Sequence, residues 1–183
     1  MVKMIIGLTG PMASGKGEIV KQLEKQGFEH YVYSDILRGL AKQRNTEPTR
    51  KNLQKLGIDI KKETKNWGIL SKIMLKKIKT DKAVVDGIRN VDEIIEFRKK
   101  GDFYLIGVVA PPRTRYDRIR KRCRAGDPTS YKEFKRSDNL ENRGKTKGQE
   151  INNCMDIADF IVINNGSLED LRKKVDKILL SLK

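Results

Sequence analysis

The sequence predicts a three-layer α/β/α domain built on a central five-stranded parallel sheet. Two observations carry this: short apolar runs alternate with amphipathic helical segments from end to end, and the first run enters a helix through a glycine-rich turn. A length of 183 residues suits one domain with a proper core. Met4–Thr9 reads as the first strand, followed by a helix from Gly15 to about Gln26, closed by Gly27. A short strand near 31–33 leads to Ser34-Asp35, a capping pair for a helix through 43. Helices follow over about 49–65 and 69–79, then the buried strand Ala83–Asp86, a helix over 91–100 and the strand Phe103–Val109. Pro111-Pro112 opens a basic helix to about Arg124, and Ser130-x-x-Glu133 is a capping box for the next one. Phe160–Ile163 is the last strand, and Ser167 caps an amphipathic final helix.

The chemistry is concentrated in Gly10-Pro11-Met12-Ala13-Ser14-Gly15-Lys16-Gly17. Two glycines five apart, followed by lysine between a strand and a helix, form a backbone cradle for phosphate. Lys16 then reaches the β/γ-phosphates of ATP. Gly17 replaces the hydroxyl residue that binds Mg²⁺ directly in GTPases and ATPase motors, which points towards small-molecule kinases. Asp86, at the end of a strand beside the first, is placed to hold Mg²⁺ through water. On the basic helix, Arg115, Arg118 and Arg122 share one face, with Tyr116, Ile119 and Cys123 on the neighbouring apolar, docking face. Cations so placed suit the charge that spreads over a transferring phosphoryl group.

The net charge is +16. Residues 42–82 hold 13 Lys/Arg against 4 Asp/Glu, and residues 111–149 hold 13 against 5, so the excess lies in two segments. Two electropositive segments on a nearly neutral core suit closure over polyphosphate, or contact with RNA. His30 is the only histidine, which excludes a histidine-based metal site or triad. No stretch reads as a secretory leader or membrane span, and Cys123 and Cys154 read as reduced thiols, so the expectation is a cytoplasmic monomer or homodimer with no membrane partner.

These motifs resemble the P-loop nucleoside monophosphate kinase group, including dephospho-CoA kinases and archaeal adenylate-kinase-like proteins, over essentially the full length. Gly10–Gly17 resembles their phosphate loop, so the resemblance assigns ATP phosphates to Gly10, Ala13, Ser14, Gly15, Lys16, Gly17 and Glu18. Ser34-Asp35-Ile36-Leu37-Arg38 and Asp86-Gly87-Ile88-Arg89 resemble acceptor-binding segments, implying acceptor roles for Asp35, Arg38 and Arg89. Asp117-Arg118-Ile119-x-x-Arg122 is similar to the helix whose arginines clamp phosphates, and Asn165-Gly166 to an adenine-bordering turn. The same likeness implies an acceptor-binding insertion over 42–82 and a lid over about 124–148, with Arg136 in the lid and a glycine hinge at Gly144–Gly148. The core is then 1–41, 83–123 and 149–183. Glu18 departs from the family's threonine and would repel phosphate unless it turns away.

The implied activity is ATP- and Mg²⁺-dependent phosphoryl transfer to a nucleotide monophosphate. Two alternatives remain open at this point. Dephospho-CoA kinase chemistry would use Asp35 as general base towards a hydroxyl, and an RNA- or ribosome-associated ATPase would use the basic segments as a nucleic-acid grip.

Overall fold

In the computed structural model, which describes residues 4–124, 126–142 and 150–182, the chain forms one five-stranded sheet. Its elements run β1 (Met4–Thr9), α1 (Lys16–Lys25), β2 (Glu29–Val32), α2 (Tyr33–Gln43), α3 (Arg50–Glu63), α4 (Ile69–Lys77) and β3 (Lys82–Asp86). They continue as α5 (Val91–Arg98), β4 (Phe103–Val109), α6 (Pro112–Arg122), α7 (Tyr131–Asn142), α8 (Ile151–Asp156), β5 (Phe160–Ile163) and α9 (Leu168–Ser181). All neighbouring strands are parallel, in the order β2-β3-β1-β4-β5. This is the five-stranded, all-parallel sheet flanked by helices that the alternating pattern predicts.

Strand alternation divides the core. Ile6, Leu8, Val84, Ile106 and Val108 face α1 and α9, where they meet Ile19, Leu23, Leu171 and Val175. The opposite parity, Ile5, Ala83, Val85, Phe103 and Leu105, faces Ile36 of α2, Met74 of α4, Phe97 of α5 and Cys154 of α8. Being covered on both faces is what makes the inner strands read as continuous apolar runs. Burial pushes the Cys154 thiol up to about 12, which fits a packing role.

β1 sits centrally, with β3 and β4 on either side. The crossover from β1 runs towards the β2 edge and that from its neighbour β4 towards the β5 edge, and a ligand crevice opens at such a switch point, beyond the carboxyl ends of the strands. Leu8 lies opposite Asp86, so the carboxylate stands beside the glycine-rich turn. Thr9 Oγ1 donates to the carbonyl of Ile88 at 2.9 Å, and the Ile88 N–H donates to Leu8, tying the two strand ends together.

Several expectations are corrected locally. Ser34 and Asp35 do not cap α2: the helix starts at Tyr33, after Val32. The buried Tyr33 hydroxyl bonds Ser71 Oγ at 2.8 Å, and this anchor accompanies the earlier start. β2 begins two residues earlier than expected, at Glu29. Cys123 is exposed, because α6 ends at Arg122 and Cys123 turns left-handed (φ 44°). In the box before α7, Ser130 Oγ accepts from Glu133 N–H, whereas Glu133 reaches back to Thr129. The short helix α8 has no counterpart in the sequence reading. By contrast, α1 closes as a Schellman motif on Gly27 (φ 85°), whose N–H donates to Glu24 while that of Phe28 donates to Leu23. Ser167 and Asp170 form the full capping box of α9. The expected Gly144–Gly148 hinge lies outside the described residues.

Candidate phosphoryl-transfer site

The turn between β1 and α1 is curled by three residues of positive φ: Gly10 (133°), Ala13 (56°) and Gly15 (111°). A Cβ at Gly10 would run into the Val108 carbonyl of β4, and one at Gly15 into the Asn164 amide. Glycine is needed at both positions for conformation and for close approach. Ala13 adopts a left-handed conformation that costs an L-residue roughly 1–2 kcal/mol, strain of the kind kept at functional turns.

Lys16 bends back over this turn and donates to the carbonyls of Gly10 (2.8 Å) and Pro11 (3.0 Å). Burial lowers its ammonium from the ordinary 10.5 to about 8; the charges of Asp86 and Glu141 oppose that shift, and those of Arg89 and Arg115 add to it. Asp86 Oδ1 and Ser14 Oγ are buried and have no hydrogen-bond partner among the described residues. Buried polar atoms are nearly always partnered, so two orphans beside a phosphate-shaped turn fit a site that nucleotide and its metal complete. Glu18 turns away from the loop interior and pairs with Lys21 at 2.8 Å, which removes the repulsion its charge would cause. Gly17 is exposed, and nothing lies within 4 Å of where its Cβ would stand.

Of the five arginines of α6, the three that share a wheel face, Arg115, Arg118 and Arg122, have three different fates. Arg115 is buried, forks onto Asp138 of α7 at 2.6 and 2.7 Å, and donates to Ala110 and Met12 carbonyls. It ties α6, α7 and the loop together. Arg118 faces the loop, donating to the carbonyls of Ala13 (3.4 Å) and Ser14 (3.2 Å) and to Asn164. Arg122 pairs bidentately with Asp127, both contacts 2.8 Å. Arg136 is exposed and lines a separate surface recess with Asp127, Pro128 and Leu140.

Beside the loop lies a cavity of about 620 Å³ between α2, α3 and the end of β3. Val32, Leu37, Leu53 and Leu70 give it apolar walls, while Arg38, Lys61, Asp86 and Arg89 bring charge. That volume and mixture suit a small organic ligand with an anionic end. Arg38 lines the cavity but is paired with Asp35, whose exposed carboxylate is not among the lining residues. Lys61 and Glu93 form a buried ion pair (2.7 Å), and Glu93 also accepts the Arg89 N–H. The Arg89 guanidinium pairs with Glu141 of α7 at 3.3 Å.

Asn165 and Gly166, the turn expected to border adenine, are both exposed. The residue that meets the loop is Asn164, buried, its amide donating to Ser14 at 2.8 Å while its oxygens accept from Arg118. Strand parity was the available signal: Val162 points inward, and so does Asn164 two residues on. Asp138, Glu141, Lys61 and Glu93 carry no local signature, because their partners lie 23 to 52 positions away.

A family model described as an AAA domain matches residues 9–135, from the loop through the middle of α7. The chain is 34% identical to a UPF0200 protein of Hyperthermus butylicus, over 98% of this chain and 95% of that one. It is 32% identical to a UPF0200 protein of Thermococcus kodakarensis, over 96% of each. Among solved structures, shikimate kinase from Acinetobacter baumannii in complex with shikimate is similar in fold (TM-score 0.60, 16% identity, 98% of this chain and 94% of that one). A Thermus thermophilus protein matches over 100% of both chains (TM-score 0.59, 20% identity). With its phosphate loop at the switch point of a five-stranded parallel sheet, the chain belongs to this AAA domain family and to the UPF0200 proteins, on a P-loop kinase fold.

Proposed function

We propose that the chain is an ATP-dependent kinase whose acceptor is a nucleotide monophosphate. The observation that carries this reading is Asp86: it stands beside the phosphate loop at the end of β3 and also lines the 620 Å³ cavity, so donor and acceptor spaces share one carboxylate. Bound MgATP would supply the transferable phosphoryl group and the charge that screens it, with Asp86 holding a metal-bound water. The remaining work falls to the protein. Loop amides and Lys16 bind the donor phosphates, and Ser14 lies where its hydroxyl can join them. Arg118 fixes the loop against β5, and Arg38 and Arg89 receive the acceptor phosphate.

A phosphate acceptor is ionised at neutral pH and needs no general base. A hydroxyl acceptor gains from one, yet Asp35 is exposed, occupied by Arg38 and outside the cavity lining. The monophosphate reading is therefore preferred to the dephospho-CoA one. Residues 42–82 would be the acceptor-binding insertion and about 124–148 the lid, with Arg122 and Arg136 carried towards the transferring group on closure.

The test is ADP formation from ATP and Mg²⁺ across a panel of nucleoside and deoxynucleoside monophosphates, dephospho-CoA and a polynucleotide. Stimulation by one or more monophosphates is expected. Stimulation by dephospho-CoA alone, or by polynucleotide alone, would overturn the reading.

A further inference from the structure

Glu141, near the end of α7, has only 9% of its side chain exposed, although its neighbours in space are cations. It contacts Arg89, which lines the acceptor cavity, and its charge also favours the protonated forms of Lys16 and Arg122. Stability does not account for a carboxylate in this position, since a buried ion pair roughly breaks even against apolar packing. Its chemistry does suggest a reason. A site that gathers cations for phosphate is self-repelling when no phosphate is present, and a protein carboxylate among them relieves that repulsion.

Resting on the monophosphate-kinase reading, we propose that Glu141 is a specificity-determining residue: in the ligand-free chain it occupies the acceptor-phosphate position on Arg89, so that only an acceptor carrying a phosphate dianion displaces it. A guanidinium fork donates to either anion, but phosphate brings more charge and a third oxygen. A neutral polyol or a free nucleoside offers Arg89 nothing that outbids a carboxylate already in contact. The acceptor class follows: phosphorylated molecules, selected by charge before any recognition of base or sugar. Because Glu141 sits on α7, its displacement also frees that helix from the Arg89 turn at the moment the acceptor arrives.

The experiment is calorimetric titration with inorganic pyrophosphate, which carries no base or sugar, on four chains: wild type, Glu141→Gln, Arg89→Ala and the double variant. Loss of the competing charge should tighten binding about tenfold in Glu141→Gln. In the Arg89→Ala background the same substitution should change affinity less than about twofold, because the competition acts through Arg89. Unchanged or weaker binding by folded Glu141→Gln would overturn the proposal. Equal tightening in both backgrounds would do the same, since it would reduce Glu141 to a diffuse charge. If Glu141→Gln fails to fold, Glu141→Met, which keeps the packing volume, takes its place. The titration involves no turnover, so a chain that phosphorylates no monophosphate would still report whether Glu141 competes for Arg89.

Discussion

The donor and acceptor sides of this site hold their cations by different means. On the donor side, Lys16 and Arg118 are steered by neutral groups: carbonyls of Gly10, Pro11, Ala13 and Ser14, and the side chain of Asn164. On the acceptor side and at α7, Arg38, Lys61, Arg89 and Arg122 each face a carboxylate, from Asp35, Glu93, Glu141 and Asp127. A carbonyl orients a cation and leaves its charge uncompensated, whereas a carboxylate cancels it. Under the proposed reading, the donor loop is thus a standing anion site. The acceptor side would become one only when an incoming anion takes the carboxylate's place.

The largest effect expected from breaking this contrast is at Lys16. Lys16→Ala should lower kcat by about 10³ or more, since under the proposed reading it removes the cation that binds the transferring phosphates and that no carboxylate pairs with directly. Steady-state turnover checks it, and a folded variant retaining more than about a tenth of wild-type kcat would refute the assignment. Arg38→Ala should act more weakly and elsewhere. It removes a cation already half-committed to Asp35, so acceptor KM should rise about tenfold with kcat nearly unchanged; an equal fall in kcat and kcat/KM would move Arg38 into the transition state. The smallest effect is with pH. The Lys16 ammonium of the empty site titrates near 8, so ATP affinity should weaken roughly fourfold between pH 7 and 8.5. Stability of the ligand-free chain moves the other way. Between about 8 and 10.5 the unfolded chain keeps this proton and the folded one does not, so Lys16 makes folding more favourable as pH rises through that window. Paired calorimetric titrations and melting curves separate the two signs, and an ATP affinity flat across that range would show that Lys16 stays charged.

The contrast also marks what was legible beforehand. The sheet was readable because doubly covered parallel strands such as those holding Ala83–Val85 and Phe103–Val109 carry uninterrupted runs without charge. The phosphate loop was readable because its glycines answer local needs of conformation and space. The partners of the charged side chains were not readable in the same way. That Arg115 serves Asp138 while Arg118 serves the loop depends on where α7 docks, not on helical spacing. α8 escaped because its six residues, Ile151–Asp156, include an Asn-Asn pair of poor helix propensity. It is held by tertiary contact: Cys154 packs in the core, and the Glu150 N–H donates to the Arg89 carbonyl.

Gly17 carries one last consequence. The space around it is open and its φ is unexceptional, so a serine there would meet no obstacle and would suit the helix better by about half a kcal/mol. The missing hydroxyl is therefore not imposed by packing. Under the proposed reading, a divalent cation would find a single water-mediated carboxylate, and no group of three or more Asp, Glu, His or Cys among the described residues is arranged to hold one. Such a cation would then travel with the nucleotide, arriving and leaving at each turnover as part of the substrate and not as a fixture of the protein.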